Sequence, residues 1–341
     1  MIYIIAPNIK SGGGLELLLY LIEYIKTNHP KLKCIVYADD SLQMIQSSKN
    51  IEVSHMKSSL EKIKLFSKKI DNALYFGNLP PLVKSKNSLV YFHNLYLLMA
   101  FQKLIRTSAK FFVKYFLQQL YIRFFIKNVD IVACQNDDIK KQFIKKFNFR
   151  NVWLLPFFRF CNKKLLEKSE KIYDFCYVSL AYPHKNHQRL LEACEILSDE
   201  KVHFSLALTI EEGHDNLIEK IKLINKQGNI KISNLGKISK EEVCKLYAQS
   251  RCLVFPSTKE SFGLALVEAV NMNLDVIASD LEYVYESIEP SLVFNPQSSL
   301  DMSMKLKEYL KSDVKRSQVK IENKIDELIR ILIKDGGDVQ K

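Results

Sequence analysis

The sequence has no uninterrupted apolar run approaching the 18 or so residues of a membrane-spanning helix, so a spanning segment is not expected. It has no C-x-x-C pair. Its seven cysteines, Cys34, Cys134, Cys161, Cys176, Cys194, Cys244 and Cys252, are scattered and odd in number. That pattern argues against a zinc knuckle and fits small core thiols in a reducing compartment. Residues 1–6 are apolar but carry no basic flank and no long apolar extension, so they read as a first strand and not as a secretion signal. No G-x-G-x-x-G follows the first strand of either half, which counts against a dinucleotide-dependent dehydrogenase. There is no metal-ligand cluster, short internal repeat or low-complexity segment.

What is present is a globular balance: 47% hydrophobic and 26% charged residues over 341 positions, enough for two domains of about 150 residues each. Net charge is +12 and unevenly spread. Residues 1–160 hold 24 Lys and Arg against 10 Asp and Glu, or +14, and the remainder carries −2. A basic half suits an anionic membrane, a phosphorylated substrate or nucleic acid. Lys supplies 42 of the 50 basic residues, so biased composition would produce the same excess. No recognised nucleic-acid module accompanies the charge, and nucleic acid is not an expected partner.

Short β-branched or aromatic runs alternate with longer helical ones. Strands are expected at 1–6, 33–37, 73–76, 88–92, 130–133 and 152–155, then at 175–180, 202–209, 230–234, 252–255, 276–278 and 292–294. This alternation predicts two doubly wound α/β domains with parallel sheets, set side by side with a cleft at the carboxyl ends of their strands. The expected division is a first domain over 1–160, a charged linker over 161–174, a second domain over 175–313, and a helical stretch over 314–334 that could pack back onto the first domain, with 314–341 as the closing segment.

The richest segment is VFPSTKESFGLALVEAVNMNLDVIAS, residues 254–279. A strand ends at Phe255, a turn follows, and a helix is expected to open near Ser261, Phe262, Gly263 and Leu264. A helix N-terminus offers unpaired N–H groups and a positive dipole end, which suit a diphosphate. Gly263 permits close approach of a ligand. Glu260 precedes the helix and Glu268 lies within it; a carboxylate there can accept hydrogen bonds from ribose hydroxyls. Taken singly, each glutamate has a plain structural account as dipole partner or surface residue.

The run P-S-x-x-E-S-F-G-L-x-L-V-E-A resembles the signature of family 4 glycosyltransferases, the retaining group with the GT-B fold. Glu260 and Glu268 match its Glu-x7-Glu pair, and the resemblance covers residues 175–296 well and the first domain in outline. It implies a GT-B fold of two Rossmann-like domains facing across a cleft, and transfer of a sugar from a nucleotide diphosphate donor to a glycan or lipid-linked acceptor in bacterial surface polysaccharide synthesis. A UDP-sugar is the preferred donor and GDP-mannose the next. No metal or other cofactor is expected. Glu268 would bind the ribose, Glu260 would stabilise the developing positive charge on the sugar, and the backbone of Phe262, Gly263 and Leu264, with Ser261, would meet the phosphates. Lys185 matches the family's diphosphate-binding lysine, whereas its companion arginine falls on Leu180 and is absent; His184, His187 or Arg189 could assist. The alternatives are a non-catalytic subunit of the same fold and a nucleotide-sugar epimerase.

In the first domain, Gly13 and Gly14 occupy a strand-to-helix turn, with the helix expected from Leu15, and the resemblance implies that this loop approaches the donor and acceptor. His93 and Asn94 follow the strand at 88–92, and the resemblance places His93 at the donor sugar. Residues 101–127 carry six basic residues and no acidic one; Lys103, Arg106, Lys110 and Lys114, spaced 3, 4 and 4, would share one helical face. That stripe beside aromatic residues suits an anionic membrane, implying a cytoplasmic protein peripheral to the inner face of the cell membrane.

Overall fold

The computed structural model describes residues 1–333, which form two compact units: 1–159 together with the chain from Glu322, and 160–321. In the first unit, the strands β1 (Ile2–Ala6), β2 (Cys34–Asp39), β3 (Ile51–Met56), β4 (Ala73–Phe76), β5 (Ser88–Phe92), β6 (Ile131–Cys134) and β7 (Val152–Leu154) make one parallel sheet in the order β3-β2-β1-β4-β5-β6-β7. β4, β5 and β6 are buried throughout, as their continuous apolar runs require of strands covered on both faces. The helices are α1 (Gly12–Asn28), α2 (Ser59–Phe66), α3 (Phe101–Leu104), α4 (Ala109–Phe125) and α5 (Asp137–Phe147).

The second unit repeats the scheme. Its strands are β8 (Tyr173–Tyr177), β9 (Phe204–Leu208), β10 (Ile230–Asn234), β11 (Ser250–Phe255), β12 (Asp275–Ser279), β13 (Ile288–Glu289), β14 (Leu292–Phe294) and β15 (Gln318–Val319). The parallel sheet runs β10-β9-β8-β11-β12-β14, and β13 pairs antiparallel with β15. The helices are α6 (His187–Asp199), α7 (Asp215–Gln227), α8 (Lys240–Ala248), α9 (Leu264–Asn271), α10 (Glu282–Ser287) and α11 (Ser299–Lys311). In both sheets the order reverses between a first strand and a later one, β1 beside β4 and β8 beside β11. Open parallel sheets leave a ligand crevice at such a point.

Several expectations are corrected. β3 was not foreseen: its IEVSHM buries only Ile51 well, because it is an edge strand. The segment expected to link the domains belongs to the second unit. There Asn162 caps a short 3-10 turn at Lys163–Lys168 and Cys161 forms a disulfide with Cys244 of α8. The free core thiols expected of the cysteines hold for five, all buried, and not for this pair. The stretch from Val314 is not one helix. Ser317 Oγ accepts the N–H groups of Val276 and Ser291, both at 2.9 Å, and Arg316 Nη1 binds Asp275 at 2.7 Å, so this part stays extended and forms β15. Among the described residues of this stretch, only α12 (Ile325–Ile333) is helical. It packs into the first unit, where Asn87 Nδ2 donates to the Leu332 carbonyl at 2.9 Å and Tyr24 donates to Asp326 at 2.8 Å. Lys334 and the rest of the closing segment lie outside the described residues.

Candidate active site

In the second unit, β8 and β11 deliver two loops to the point of strand reversal. The first carries a 3-10 turn at Pro183–Lys185 and leads through Asn186, at φ 63, into α6. The second runs from Pro256 to Gly263 and opens α9. Polar contacts clamp them together. The Thr258 N–H donates to the His184 carbonyl at 2.8 Å, Ser257 Oγ donates to the same oxygen at 3.1 Å, and Asn186 Nδ2 reaches the Pro256 carbonyl at 3.1 Å and the Pro296 carbonyl at 2.9 Å. The Tyr177 hydroxyl donates to the Lys185 carbonyl at 2.8 Å. So held, Lys185 Nζ lies 2.5 Å from Glu260 Oε1 and 5.8 Å from the centre of the Phe255 ring. The two side chains are only 19% and 13% exposed, so their attraction is screened less than that of a surface pair.

α9 opens at Leu264, with Ser261 and Phe262 ahead of it and Gly263 as its N-cap. Gly263 has φ 76, a conformation that side chains rarely adopt, and an added Cβ would stand 2.8 Å from Leu266 Cδ1. Phe262 is buried, and its carbonyl accepts from Ser287 Oγ at 2.9 Å. The first N–H groups of α9 have no partner within the helix, leaving a short anion-favouring end. Glu268 sits one turn further on, buried, with its carboxylate paired to Lys240. Lys240 opens α8, whose start is fixed by the reciprocal bonds of Ser239 and Glu242. Lys240 was not foreseen; no spacing rule connects it to Glu268.

The other cations are less well placed for a ligand. His184 stacks on Tyr182, and burial together with the adjacent Lys185 lowers its pKa. His187, another of the residues that could assist, lies inside the fold. It is 3% exposed, packs on the Tyr177 ring at 4.7 Å, and burial lowers its pKa to about 4. Arg189 makes a long contact, 3.4 Å, to Gln297. Beside Leu180, where the arginine is missing, the Ala181 N–H donates to Glu211 at 3.1 Å.

In the first unit, α1 opens at Gly12, not at Leu15, so Gly13 and Gly14 lie in its first turn. Gly14 approaches His93 closely: a Cβ there would stand 3.0 Å from His93 Nε2. His93 follows β5, and burial lowers its pKa to about 4 against the opposing effect of the Tyr91 backbone. Asn94 caps a 3-10 turn by accepting the Tyr96 N–H at 3.0 Å. The four basic residues do not share one helical face, because the helix breaks between α3 and α4. Thr107 Oγ1 donates to the Leu104 carbonyl at 2.6 Å and Ser108 Oγ caps the Phe111 N–H, so side chains compete with the helix ladder. Lys103 lies on α3, Arg106 in the break, and Lys110 and Lys114 on α4. Among the described residues no group of three or more His, Cys, Asp or Glu side chains could hold a metal ion.

Residues 159–326 match the family described as glycosyl transferases group 1. The chain is 35% identical over 141 residues to the serotype-specific mannosyltransferase WbdA of Escherichia coli, covering 40% of this chain and 17% of that protein. It is 27% identical over 190 residues to the O-antigen chain mannosyltransferase RfbU of Salmonella typhimurium, covering 53% and 52%. The chain thus spans about half the length of these curated relatives or less. Its fold superposes on sucrose-phosphate synthase from Thermosynechococcus elongatus with a TM-score of 0.64 and 14% identity, over 91% of this chain and 90% of that one. Two parallel-sheet α/β units with this likeness make the fold GT-B, as the sequence led one to expect.

Proposed function

As residues 159–326 belong to the group 1 glycosyltransferase family, we propose that the chain is a retaining hexosyltransferase acting in bacterial surface polysaccharide synthesis. The observation that carries the reading is the arrangement around α9: Glu260 precedes its N-terminus and Glu268 lies one turn inside it, one paired to Lys185 and the other to Lys240. A nucleotide-sugar donor would lay its diphosphate against Lys185 and the α9 N–H groups, and its ribose against Glu268. As the bond from the anomeric carbon to the leaving diphosphate breaks, negative charge grows on the phosphate and positive charge on the sugar. Lys185 and the helix end would stabilise the first electrostatically, and the Glu260 carboxylate the second. The relatives named as mannosyltransferases favour a mannosyl group, which moves GDP-mannose ahead of the UDP-sugars that the sequence reading put first. No cofactor or metal enters this mechanism.

The acceptor is proposed to be a glycan or lipid-linked glycan met at the inner face of the membrane. Support comes from α4, where Val113, Leu117 and Phe124 are 51%, 58% and 72% exposed on one face beside Lys110 and Lys114. Exposed apolar residues rimmed by lysines fit an anionic interface. Among the described residues no helix is long and apolar enough to cross a membrane.

The test is a thermal-shift panel of UDP, GDP, ADP, CMP and dTDP on wild type and Glu268→Ala, followed by donor hydrolysis. One diphosphate should raise the melting temperature of the wild type, through a stabilisation of about 2.7 kcal/mol at a hundredfold excess over Kd, and not that of the variant. Binding without hydrolysis or transfer would favour the non-catalytic subunit, the alternative that the missing arginine at Leu180 raises. No response to any of the five would reject the donor site.

A further inference from the structure

The carboxyl ends of β1, β4 and β5 enclose a recess of about 160 Å³ within the first unit. It is open on one side and has depth for a group about the size of one sugar ring. It opens where the strand order reverses, between β1 and β4. Its polar lining is Asn8, Asn78, His93, Asn94, Lys114 and Gln118, with no carboxylate among the residues around it.

The lining is built and not incidental. Asn78 is buried and holds φ 76, a left-handed conformation that costs a non-glycine residue on the order of 1 kcal/mol. Its side-chain oxygen accepts the N–H groups of His93 at 2.7 Å and Asn94 at 3.0 Å, which fixes the loop after β5. His93 Nδ1 is shut off from solvent without a hydrogen bond of normal geometry, while Nε2 faces Gly14, whose missing side chain leaves the approach open. From α4, Lys114 brings an ammonium group that stands 5.1 Å from the centre of the Tyr115 ring and makes no ion pair among the described residues. The amides of Asn8 and Gln118 offer donors and acceptors, and those of Asn78 and Asn94, whose oxygens are engaged, offer NH2 donors, as vicinal hydroxyls require; one unpaired cation selects one negative charge.

We propose that this recess binds one sugar residue bearing an anionic group, phosphate or carboxylate, with Lys114 on the anion and the amides on the hydroxyls. Its use as the acceptor end of a transfer reaction rests on the glycosyltransferase reading; the binding does not.

The experiment is ligand-observed saturation-transfer NMR on the full chain with mannose 6-phosphate, glucuronic acid and uncharged mannose. It is run on wild type, Lys114→Met, Lys103→Met and Lys185→Met, with melting curves to show that each variant is folded. The anionic sugars should bind the wild type about tenfold more tightly than mannose, and Lys114→Met should erase that margin while Lys103→Met keeps it. The two anionic arms tell phosphate from carboxylate. Equal binding of mannose, an unchanged Lys114→Met, an equal loss in Lys103→Met, or loss in Lys185→Met alone would each overturn the proposal. The last would put the anion in the second unit. Lys114-dependent binding in a protein that neither hydrolyses nor transfers any donor would sustain the subsite and reject only the transferase reading.

Discussion

Lys240 and Glu268 stand 28 residues apart on successive helices of the second unit, and their charged ends meet in an ion pair that leaves the side chains 19% and 9% exposed. A carboxylate this buried is stable as an anion only while its partner remains. Lys240→Met should therefore lower stability by about 1–3 kcal/mol, read by chemical denaturation. It should also weaken nucleoside diphosphate binding, and Lys240→Arg should recover much of both. Unchanged nucleotide affinity in the methionine variant would restrict Lys240 to a structural part.

Lys185 is expected to act chiefly on the leaving group. Lys185→Met should reduce kcat for donor hydrolysis by about 100- to 1000-fold, as loss of one preorganised electrostatic partner does. Its Tm should fall modestly, because the Glu260 carboxylate loses its partner, while the loop stays clamped through the His184 carbonyl and the Asn186 side chain. Steady-state kinetics with calorimetry on the same sample checks both halves of the claim.

Acid should destabilise the second unit through His187. Burial lowers its folded pKa to about 4, while the unfolded chain keeps a value near 6.5. The unfolded state thus binds the proton first. The contribution of this group is whole above about pH 6.5 and is lost as pH falls toward about 4, on the order of 3 kcal/mol in all. His187→Phe, which keeps a ring against Tyr177, should flatten that part of the stability profile. A parallel slope in wild type and variant would assign the effect elsewhere.

The disulfide between Cys161 and Cys244 closes a loop with a sequence separation of 83. Reduction should lower the unfolding free energy by about 2–4 kcal/mol. Cys161→Ser should reproduce the loss and remove any further response to reductant. Melting curves with and without dithiothreitol decide it.

The central strands were legible because continuous apolar runs such as SLVYF and ALYF have few other places to go. The α9 segment was legible because its glutamates, glycine and strand end form a fixed local pattern. What escaped was set by partners distant in sequence or by competing local bonds. β3 is an edge strand whose alternation is weak. The helix over 101–127 was broken by the hydroxyls of Thr107 and Ser108, which periodicity does not weigh. The helical look of the residues after Val314 lost to the bonds of Arg316 and Ser317 with β12 and its surroundings. Lys240 and the cysteine pair belong to the same class, since their roles exist only once the chain has folded.

α12 also bears on synthesis. Ile325, Leu328, Ile329 and Leu332 are all buried in the first unit, yet the ribosome makes them after the whole of the second. Burying each such side chain is worth about 1.5–3 kcal/mol. The earliest-made unit must therefore wait, with an apolar face uncovered, for more than 160 further residues to be translated. A premature stop just after residue 321 would spare the later-made unit entirely and cripple the one that emerged first.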